Sequence, residues 1–234
     1  MRYPTLASLD EAVTHCRRCP RLVAWREEVG RVRRAAYRDE TYWARPVPGF
    51  GPPDARIAVV GLAPAAHGAN RTGRMFTGDR SGDFLFAALH ATGLASQPTA
   101  TSRTDGLTLH HTRLAAPVRC APPDNKPTPA ERDTCRPWLA DELTLLAPTL
   151  RAVLVLGGFG WQALLPVLTA AGWPVPSPRP KFGHGVELPL VRADGSVLHV
   201  LGSFHVSPHN TFTGRLTPKM LEGVLTRAKA LAGV

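Results

Sequence analysis

Four short apolar runs, rich in β-branched residues, recur along the chain without regular polar alternation. They lie at residues 55–60, 109–118, 151–156 and 197–201. A strand that is covered on only one face alternates apolar and polar residues, whereas a strand that is buried on both faces does not. The pattern therefore predicts the strands of a mainly parallel sheet.

Segments with helical signals separate these runs. Apolar residues recur on one side of residues 83–92 and of residues 158–171. Residues 128–131 read Thr-Pro-Ala-Glu, which supplies an N-cap, a first-turn proline and a capping-box glutamate, and residues 217–218 open a last helix in a similar way. Strands that alternate with helices predict an α/β fold, here a three-layer α/β/α sandwich with a central, mainly parallel four-stranded sheet.

Composition favours one globular unit. The chain has 234 residues with 44% hydrophobic content, and none of its apolar stretches reaches the length of a membrane span. Because it has neither repeats nor a low-complexity linker, we expect a single domain over residues 1–234. Its opening residues carry no basic-then-apolar signal segment, so we expect a cytoplasmic protein without a membrane partner.

The formal charge of +10 points to a polyanionic partner. Most of the basic residues are arginines, which bind phosphate in a bidentate manner, so nucleic acid is the simplest such partner. A GC-rich or thermophilic source would also raise the arginine content, and the two interpretations are compatible.

Four cysteines occur as two pairs, Cys16 with Cys19 and Cys120 with Cys135. Thiolates are the ligands of tetrathiolate zinc sites and of iron–sulfur clusters, and the spacing alone does not separate the two. Two disulfides are the alternative, which a reducing compartment disfavours. The pattern predicts one metal centre that ties the N-terminal helices to the middle of the fold.

The polar candidates fall in three loops, each of which follows a predicted strand. The first loop (residues 61–79) is dense in glycine but has neither P-loop nor dinucleotide-fold spacing. The second loop (residues 120–128) contains Asn125, and the third loop (residues 203–215) contains two histidines. Because ligands of such sheets bind outside the carboxyl ends of the strands, we expect the three loops to form one site.

The motifs in these loops resemble a known family. The order G-x-A-P-x-x-x-G, F-T-G-D, C-A-P-P-D-N-K-P and H-V-S-P-H-N is similar to that of the uracil-DNA glycosylase superfamily, and most closely to its family 5 enzymes. The resemblance covers residues 16–215. It implies a DNA repair enzyme that flips uracil out of DNA, hydrolyses its N-glycosidic bond and leaves an abasic site. It also implies a 4Fe–4S cluster on the four cysteines, with zinc as the fallback.

The resemblance assigns roles to three side chains. It places Phe76 against the face of the extruded base, Asn125 against the polar edge of the base, and His205 at the carbonyl oxygen beside the scissile bond. From the residues alone, Phe76 is equally compatible with a core position, and Asn125 with ordinary turn chemistry.

The chain departs from the wider superfamily where other members position a water molecule. Leu62 and Ala63 occupy the place of an acidic or amide side chain, so Asp79 and Asn70 become catalytic candidates for orienting water, although Asp79 also suits a helix N-cap. Ala63 and His67 are further candidates for the base pocket. The small side chain of Ala63 suggests a wider base range that includes hypoxanthine and xanthine.

Contacts to DNA are expected around the site, because double- and single-stranded DNA that contains damaged bases is the implied partner. This role implies association with the nucleoid, and the search for single lesions suits a monomer. Phe212 is a candidate wedge for the vacated stack. The candidate contacts are Arg71, Arg74, Ser207, His209, Asn210, Phe212 and Arg215.

Two other classes of protein share part of this pattern. A non-catalytic binder of lesions or abasic sites would have the same loops and charge. A redox protein would share the cysteines but would not need Asn125 or His205. Because Cys120 lies close in sequence to Asn125, we interpret the centre as a staple for the second loop rather than as a reactive group.

Overall fold

Five strands form one sheet in the computed structural model, which describes residues 2–234. They are β1 (Ile57–Val60), β2 (Thr112–Ala115), β3 (Ala152–Leu156), β4 (Glu187–Val191) and β5 (Val197–Ser203). Their order across the sheet is β2-β1-β3-β5-β4. The first three pairings are parallel, and β4 runs antiparallel to β5.

Helices connect and cover the strands. They are α1 (Leu6–Thr14), α2 (Pro20–Val32), α3 (Ala69–Thr72), α4 (Arg80–Ala91), α5 (Pro129–Leu146), α6 (Gly158–Ala170), α7 (Pro208–Phe212) and α8 (Pro218–Ala232). Short 3-10 turns lie at Ala35–Tyr37 and Pro123–Asn125. Within residues 2–234, none of the helices combines the length and the apolar character that crossing a membrane requires.

The strand residues face two cores in alternation, as β1 illustrates. Ile57 and Val59 pack in a cluster with α4 and α8, whereas Ala58 and Val60 pack in a second cluster with α1, α5 and α6. All four side chains are at most 1% exposed. Burial of each larger side chain stabilises the fold by about 2 kcal/mol. The predicted three-layer α/β/α sandwich with strands buried on both faces is therefore confirmed.

The sheet has one strand more than the four predicted. In β4 only Leu190 is buried, so this strand lacks the unbroken apolar run of its neighbours. Pro189 lies in the strand and has no N–H to donate, which a strand at the edge of a sheet tolerates. An exposed antiparallel edge thus carries little of the signal that identified the buried strands.

The capping signals set the helix boundaries. Thr128 accepts a hydrogen bond from the backbone of Glu131 and completes the predicted capping box at the start of α5. Thr217 caps α8 in a similar way. Helix α4 begins three residues before the predicted position 83, because Asp79 caps it. These caps fix where the second and first loops end.

Candidate functional site

The three loops surround one cleft of about 610 Å³ at the carboxyl ends of the parallel strands. The predicted base-binding residues all line it: Ala63, His67, Phe76, Asn125 and His205. The structure thus brings together side chains that are up to 142 positions apart, as the strand order predicts for a switch point of a doubly wound sheet.

Phe76 is held over a glycine. A Cβ atom on Gly61 would lie 2.5 Å from Cζ of the Phe76 ring, so only glycine lets the ring pack on the backbone there. The backbone of Phe76 has φ of +53°, a left-handed conformation that costs a non-glycine residue about 1 kcal/mol. The ring is half-buried: it lines the cleft and also packs against the core cluster, so its role in stacking on a base stays a prediction.

His205 lies in the cleft as a neutral imidazole. Burial lowers the pKa of His205 to about 4, so the ring carries no charge at neutral pH. Asn210, predicted as a DNA contact, instead donates its Nδ2 to the backbone oxygen of His205 at 2.8 Å and braces the third loop. Gly157 leaves the space that the histidine needs, since a Cβ atom there would lie 3.2 Å from Cβ of His205.

Asn125 is exposed at the rim of the cleft in a tight turn. Asp124 and Asn125 both have positive φ, +53° and +55°. Arg21 of α2 fixes this turn from outside, because it donates to the backbone oxygen of Lys126 at 3.2 Å and pairs with both carboxylate oxygens of Glu131 at 2.8 Å. The second loop is therefore tied to the helix that begins next to Cys19.

Asp79 both caps a helix and lines the cleft. Its Oδ1 accepts the backbone N–H of Gly82 at 3.0 Å, which confirms the N-cap prediction. Its Oδ2 lies against Gly68, where a Cβ atom would be only 1.9 Å away. Burial raises the pKa of Asp79, which makes this carboxylate a stronger base than an exposed one.

Three other predicted site residues lie away from the cleft and require correction. Asn70 is fully buried and donates to the backbone of Arg26 at 3.3 Å, so it does not reach a substrate water. The guanidinium of Arg71 pairs with Glu40. Arg74 is 6% exposed and forms a bidentate pair with Asp105 at 2.7 and 2.8 Å. These arginines stabilise the first loop rather than face DNA phosphates.

Four of the predicted DNA contacts remain in positions that suit that role: Ser207, His209, Phe212 and Arg215. Ser207 lines the cleft, and His209 is exposed beside it on α7. The ring of Phe212 is 68% exposed, which is unusual for a large apolar side chain. The guanidinium of Arg215 lies 4.6 Å from the ring centre of Phe204. Their roles in DNA binding remain predictions.

Tyr42 is a site residue that the sequence did not reveal. Its hydroxyl lies 3.0 Å from Nδ1 of His67 and accepts the backbone N–H of Arg34 at 3.4 Å. The contact between this hydroxyl and Nδ1 orients the imidazole ring of His67 at the wall of the cleft. Burial, together with Arg34 and Arg71, lowers the pKa of His67. Tyr42 belongs to no recognisable motif, so only the structure could find it.

The four cysteines line one small cavity. Cys16 follows α1, Cys19 is the residue before α2, Cys120 opens the second loop, and Cys135 lies in α5. All four are free thiols, so the disulfide alternative is not found. Within residues 2–234, however, no group of three or more histidine, cysteine, aspartate or glutamate side chains could hold a metal ion.

Buried N–H groups point at two of these sulfurs. Arg26, which is 2% exposed, donates to Sγ of Cys120 at 3.0 Å, and the backbone N–H of Arg119 donates to Sγ of Cys135 at 3.3 Å. Burial raises the pKa of Cys120 to about 11 and the pKa of Cys135 to about 12, so the bare groups are protonated thiols. Donors of this kind suit sulfurs that become thiolate ligands.

A buried ion-pair network lies next to this cavity, which its member Arg119 lines. Glu142 has no exposed surface and accepts from Arg113 at 2.5 Å and from Arg119. Nη2 of Arg113 also donates to both carboxylate oxygens of Asp10 of α1, at 2.7 and 2.8 Å. Although burial opposes ionisation, Arg119 and Arg113 hold the pKa of Glu142 below its ordinary value. The network joins α1, β2 and α5 next to Cys120.

Comparisons with known proteins agree with this geometry. Residues 48–229 match the model of the uracil DNA glycosylase superfamily. The chain is 53% identical to a type-5 uracil-DNA glycosylase of Mycobacterium tuberculosis over 98% of its own length and 83% of the relative. It is 52% identical to a type-5 enzyme of Thermus thermophilus, over 96% and 97% of the two chains, and 47% identical to one of Pyrobaculum aerophilum, over 94% and 91%.

Proposed function

Because the chain belongs to the uracil DNA glycosylase superfamily and is a DNA glycosylase, we propose that uracil extruded from DNA enters its cleft. The N-glycosidic bond between the uracil and its sugar is hydrolysed there. The product is an abasic site, and the role is DNA repair. The observation that carries the proposal is the convergence of Phe76, Asn125 and His205, from three separate loops, on one cleft.

Recognition of the base follows from the shape and polarity of the cleft. A base inside a duplex is out of reach, so it must leave the stack before it is read. Phe76 stacks on its face, and the amide of Asn125 has both a donor and an acceptor for its polar edge. Phe212, exposed at the rim, fills the space that the base vacates.

His205 stabilises the leaving group. Cleavage of the bond between sugar and base leaves negative charge on the base and positive charge on the sugar. A neutral imidazole N–H that donates to the developing oxyanion lowers the barrier by about 3 kcal/mol, the magnitude typical of one such donor. Because the pKa of His205 is about 4, this donor needs no protonation at neutral pH.

Asp79 orients the attacking water in place of the residue that Leu62 and Ala63 cannot supply. Its Oδ1 is used by the helix cap, and Oδ2 is left at the wall of the cleft. The described residues that line the cleft include no lysine, so no side-chain amine is placed to form a Schiff base with the abasic sugar. We infer a monofunctional glycosylase that does not cut the DNA strand.

A 4Fe–4S cluster is the group that best fits the four cysteines. A tetrathiolate zinc site needs all four sulfurs about 2.3 Å from one ion, and no group of three or more ligands within residues 2–234 is found in such an arrangement. A cubane distributes its four thiolates over four irons, which places the sulfurs farther apart. Cys16, Cys19, Cys120 and Cys135 would hold it, and the cluster would supply a structural tie between α2 and the second loop.

Release of free base tests the proposal and its breadth. Duplex and single-stranded oligonucleotides with one uracil, hypoxanthine or xanthine are incubated with the protein, and the freed bases are separated by chromatography. We expect uracil to be released fastest and the strand to remain intact until alkali is added. Release confined to uracil would exclude the wider base range, and strand cleavage without alkali would exclude the monofunctional assignment.

A further inference from the structure

A second concave surface lies outside the cleft, between α5, α6 and the segment that precedes β4. It has a volume of about 610 Å³. We name it the basic groove, after the four cationic side chains that line it: Arg132, Arg136, Arg179 and Lys181. None of these residues takes part in the proposed catalysis.

The groove combines charged and apolar surface. Within its floor, Trp161 is 2% exposed and Leu165 is 1% exposed, whereas Pro166 and Phe182 are half-buried and remain accessible. Arg179 and Lys181 are exposed, and the ion pairs found in residues 2–234 include neither of them. A ligand with spaced negative charges fits this surface better than an apolar side chain.

The nearby acid neutralises only part of this charge. Asp133 pairs with Arg132 at 2.9 Å and also with Arg136. One carboxylate is thus shared by two guanidiniums, and Arg179 and Lys181, on the segment that precedes β4, have no acidic partner in the part of the chain that the structure describes. The groove therefore keeps a net positive charge.

The two free cations are held on an anchored segment. The backbone oxygen of Pro180, the residue between Arg179 and Lys181, accepts the indole N–H of Trp161 at 2.8 Å. Because this anchor fixes the backbone between the two cations, binding them costs less conformational entropy than binding cations on a mobile tail.

The groove adjoins the catalytic edge of the molecule. Phe182, which lines it, lies with its ring centre 6.5 Å from that of Phe204, the neighbour of His205. The side of the groove that carries Arg132 and Arg136 is formed by α5, which begins directly after the second loop. The groove thus lies beside the start of the third loop and the end of the second loop.

We propose that the basic groove holds the sugar–phosphate backbone of duplex DNA on one side of the extruded nucleotide. The proposal rests on the proposed function, which places DNA at the cleft. It adds a second contact beyond the third loop, one that is independent of base identity and sensitive to salt. An acidic peptide is the competing occupant, and DNA is favoured because the groove adjoins the catalytic edge of the molecule.

The test compares two double variants that change charge equally. Arg179→Glu with Lys181→Glu alters the groove, and Arg56→Glu with Arg151→Glu alters the amino edge of the sheet, opposite the cleft. Fluorescence anisotropy measures their binding to a long duplex with a central abasic site, over a range of salt concentrations. We expect the groove variant to bind about tenfold more weakly and to lose about 1.8 from its salt slope, at about 0.9 per phosphate contact. The control should match the wild type.

Truncated duplexes give the geometric part of the test. If the groove binds the DNA on one side of the abasic site, the groove variant and the wild type should have equal affinities for a duplex that is shortened on that side. For a duplex that is shortened on the other side, the difference in affinity should remain. Equal affinities and slopes on the long duplex, or an equal loss in the control, would overturn the proposal, as would a groove variant that loses only the binding of a polyglutamate probe.

Two measurements keep the outcomes distinguishable. The milder pair Arg179→Gln with Lys181→Gln should show a smaller change in the same direction, which separates loss of contact from misfolding. Uracil release from a short oligonucleotide that does not reach the groove should be unchanged in the variants. If the wild type itself releases no uracil, the proposed function fails, while the anisotropy data still decide whether the groove binds DNA.

Discussion

The imidazole of His205 is poised as a neutral donor by its surroundings. Burial, rather than a charged neighbour, lowers the pKa of His205 to about 4. Gly157 allows its approach, and the amide of Asn210 holds its backbone. The histidine of a loop motif thus acquires its chemistry from burial, from the glycine that follows β3 and from an asparagine of α7.

This depressed pKa predicts a pH-dependent stability. The unfolded pKa of histidine is about 6.5, so between pH 6.5 and 4 the unfolded chain binds the proton more readily than the folded one. The stability that neutral His205 provides is therefore complete above pH 6.5 and is lost as the pH falls to 4, by up to about 3 kcal/mol. Urea unfolding at a series of pH values should show this loss in the wild type and not in His205→Gln. An unchanged pH profile in that variant, with His209→Gln as the control, would contradict the account.

Individual arginines mark the limit of sequence reasoning at this scale. Phe76, Asn125 and His205 could be identified because their motifs are specific, and the structure brings them together. Arg71 and Arg74 lie in the same motif, yet their guanidiniums are directed to Glu40 and Asp105. The partners lie about 31 positions away in sequence, so no local pattern indicates which arginines are already paired.

At the scale of elements, the second loop is positioned by contacts at its two ends. Cys120 lies in the cysteine cavity at one end, and Thr128 caps α5 at the other. The capping box could be predicted from the sequence, since Thr128 and Glu131 are close neighbours in the chain. The contact by which Arg21 links α2 to this cap could not be predicted, because Arg21 and Glu131 are far apart in the sequence.

The contact of Arg21 predicts a specific functional loss. Arg21→Ala frees the carbonyl of Lys126 and the carboxylate of Glu131, so the turn that carries Asn125 should lose its orientation. We expect kcat/KM for uracil release to fall about tenfold, which corresponds to about 1.4 kcal/mol. Arg31→Ala is the matched control, since it removes an ion pair with Glu28 within the same helix. Equal activities of the two variants would show that the tether has no role in the site.

In the whole molecule, the cleft lies at the carboxyl ends of the parallel strands. The N-terminal helices α1 and α2 pack beside the cysteine cavity. The parallel strands followed from unbroken apolar runs, but β4 did not, because its burial is incomplete. The buried network of Asp10, Arg113, Glu142 and Arg119 was also unpredictable, since charged residues are seldom buried unless paired and their partners are distant in sequence.

This network should be a major contributor to stability. Glu142→Gln removes the charge that two buried guanidiniums share, and the loss of one partner of a buried pair costs about 3 kcal/mol or more. The comparison is Glu187→Gln, which breaks exposed pairs with Arg227 and should cost less than about 1 kcal/mol. Urea unfolding measures both. A Glu142→Gln variant as stable as the Glu187→Gln variant would contradict a structural role for the network.

Single-turnover release of uracil by His205→Ala tests the central claim most directly, with DNA affinity measured on the same preparation. The account predicts that the rate falls by about 10²-fold to 10³-fold, the loss expected for one oxyanion donor, while the affinity for uracil-containing duplex changes by less than about fivefold. The control variant His90→Ala, which changes an exposed histidine in the last turn of α4 outside the cleft lining, should retain the wild-type rate. A His205→Ala protein that releases uracil at the wild-type rate, or a wild type that binds the duplex and releases none, would contradict it.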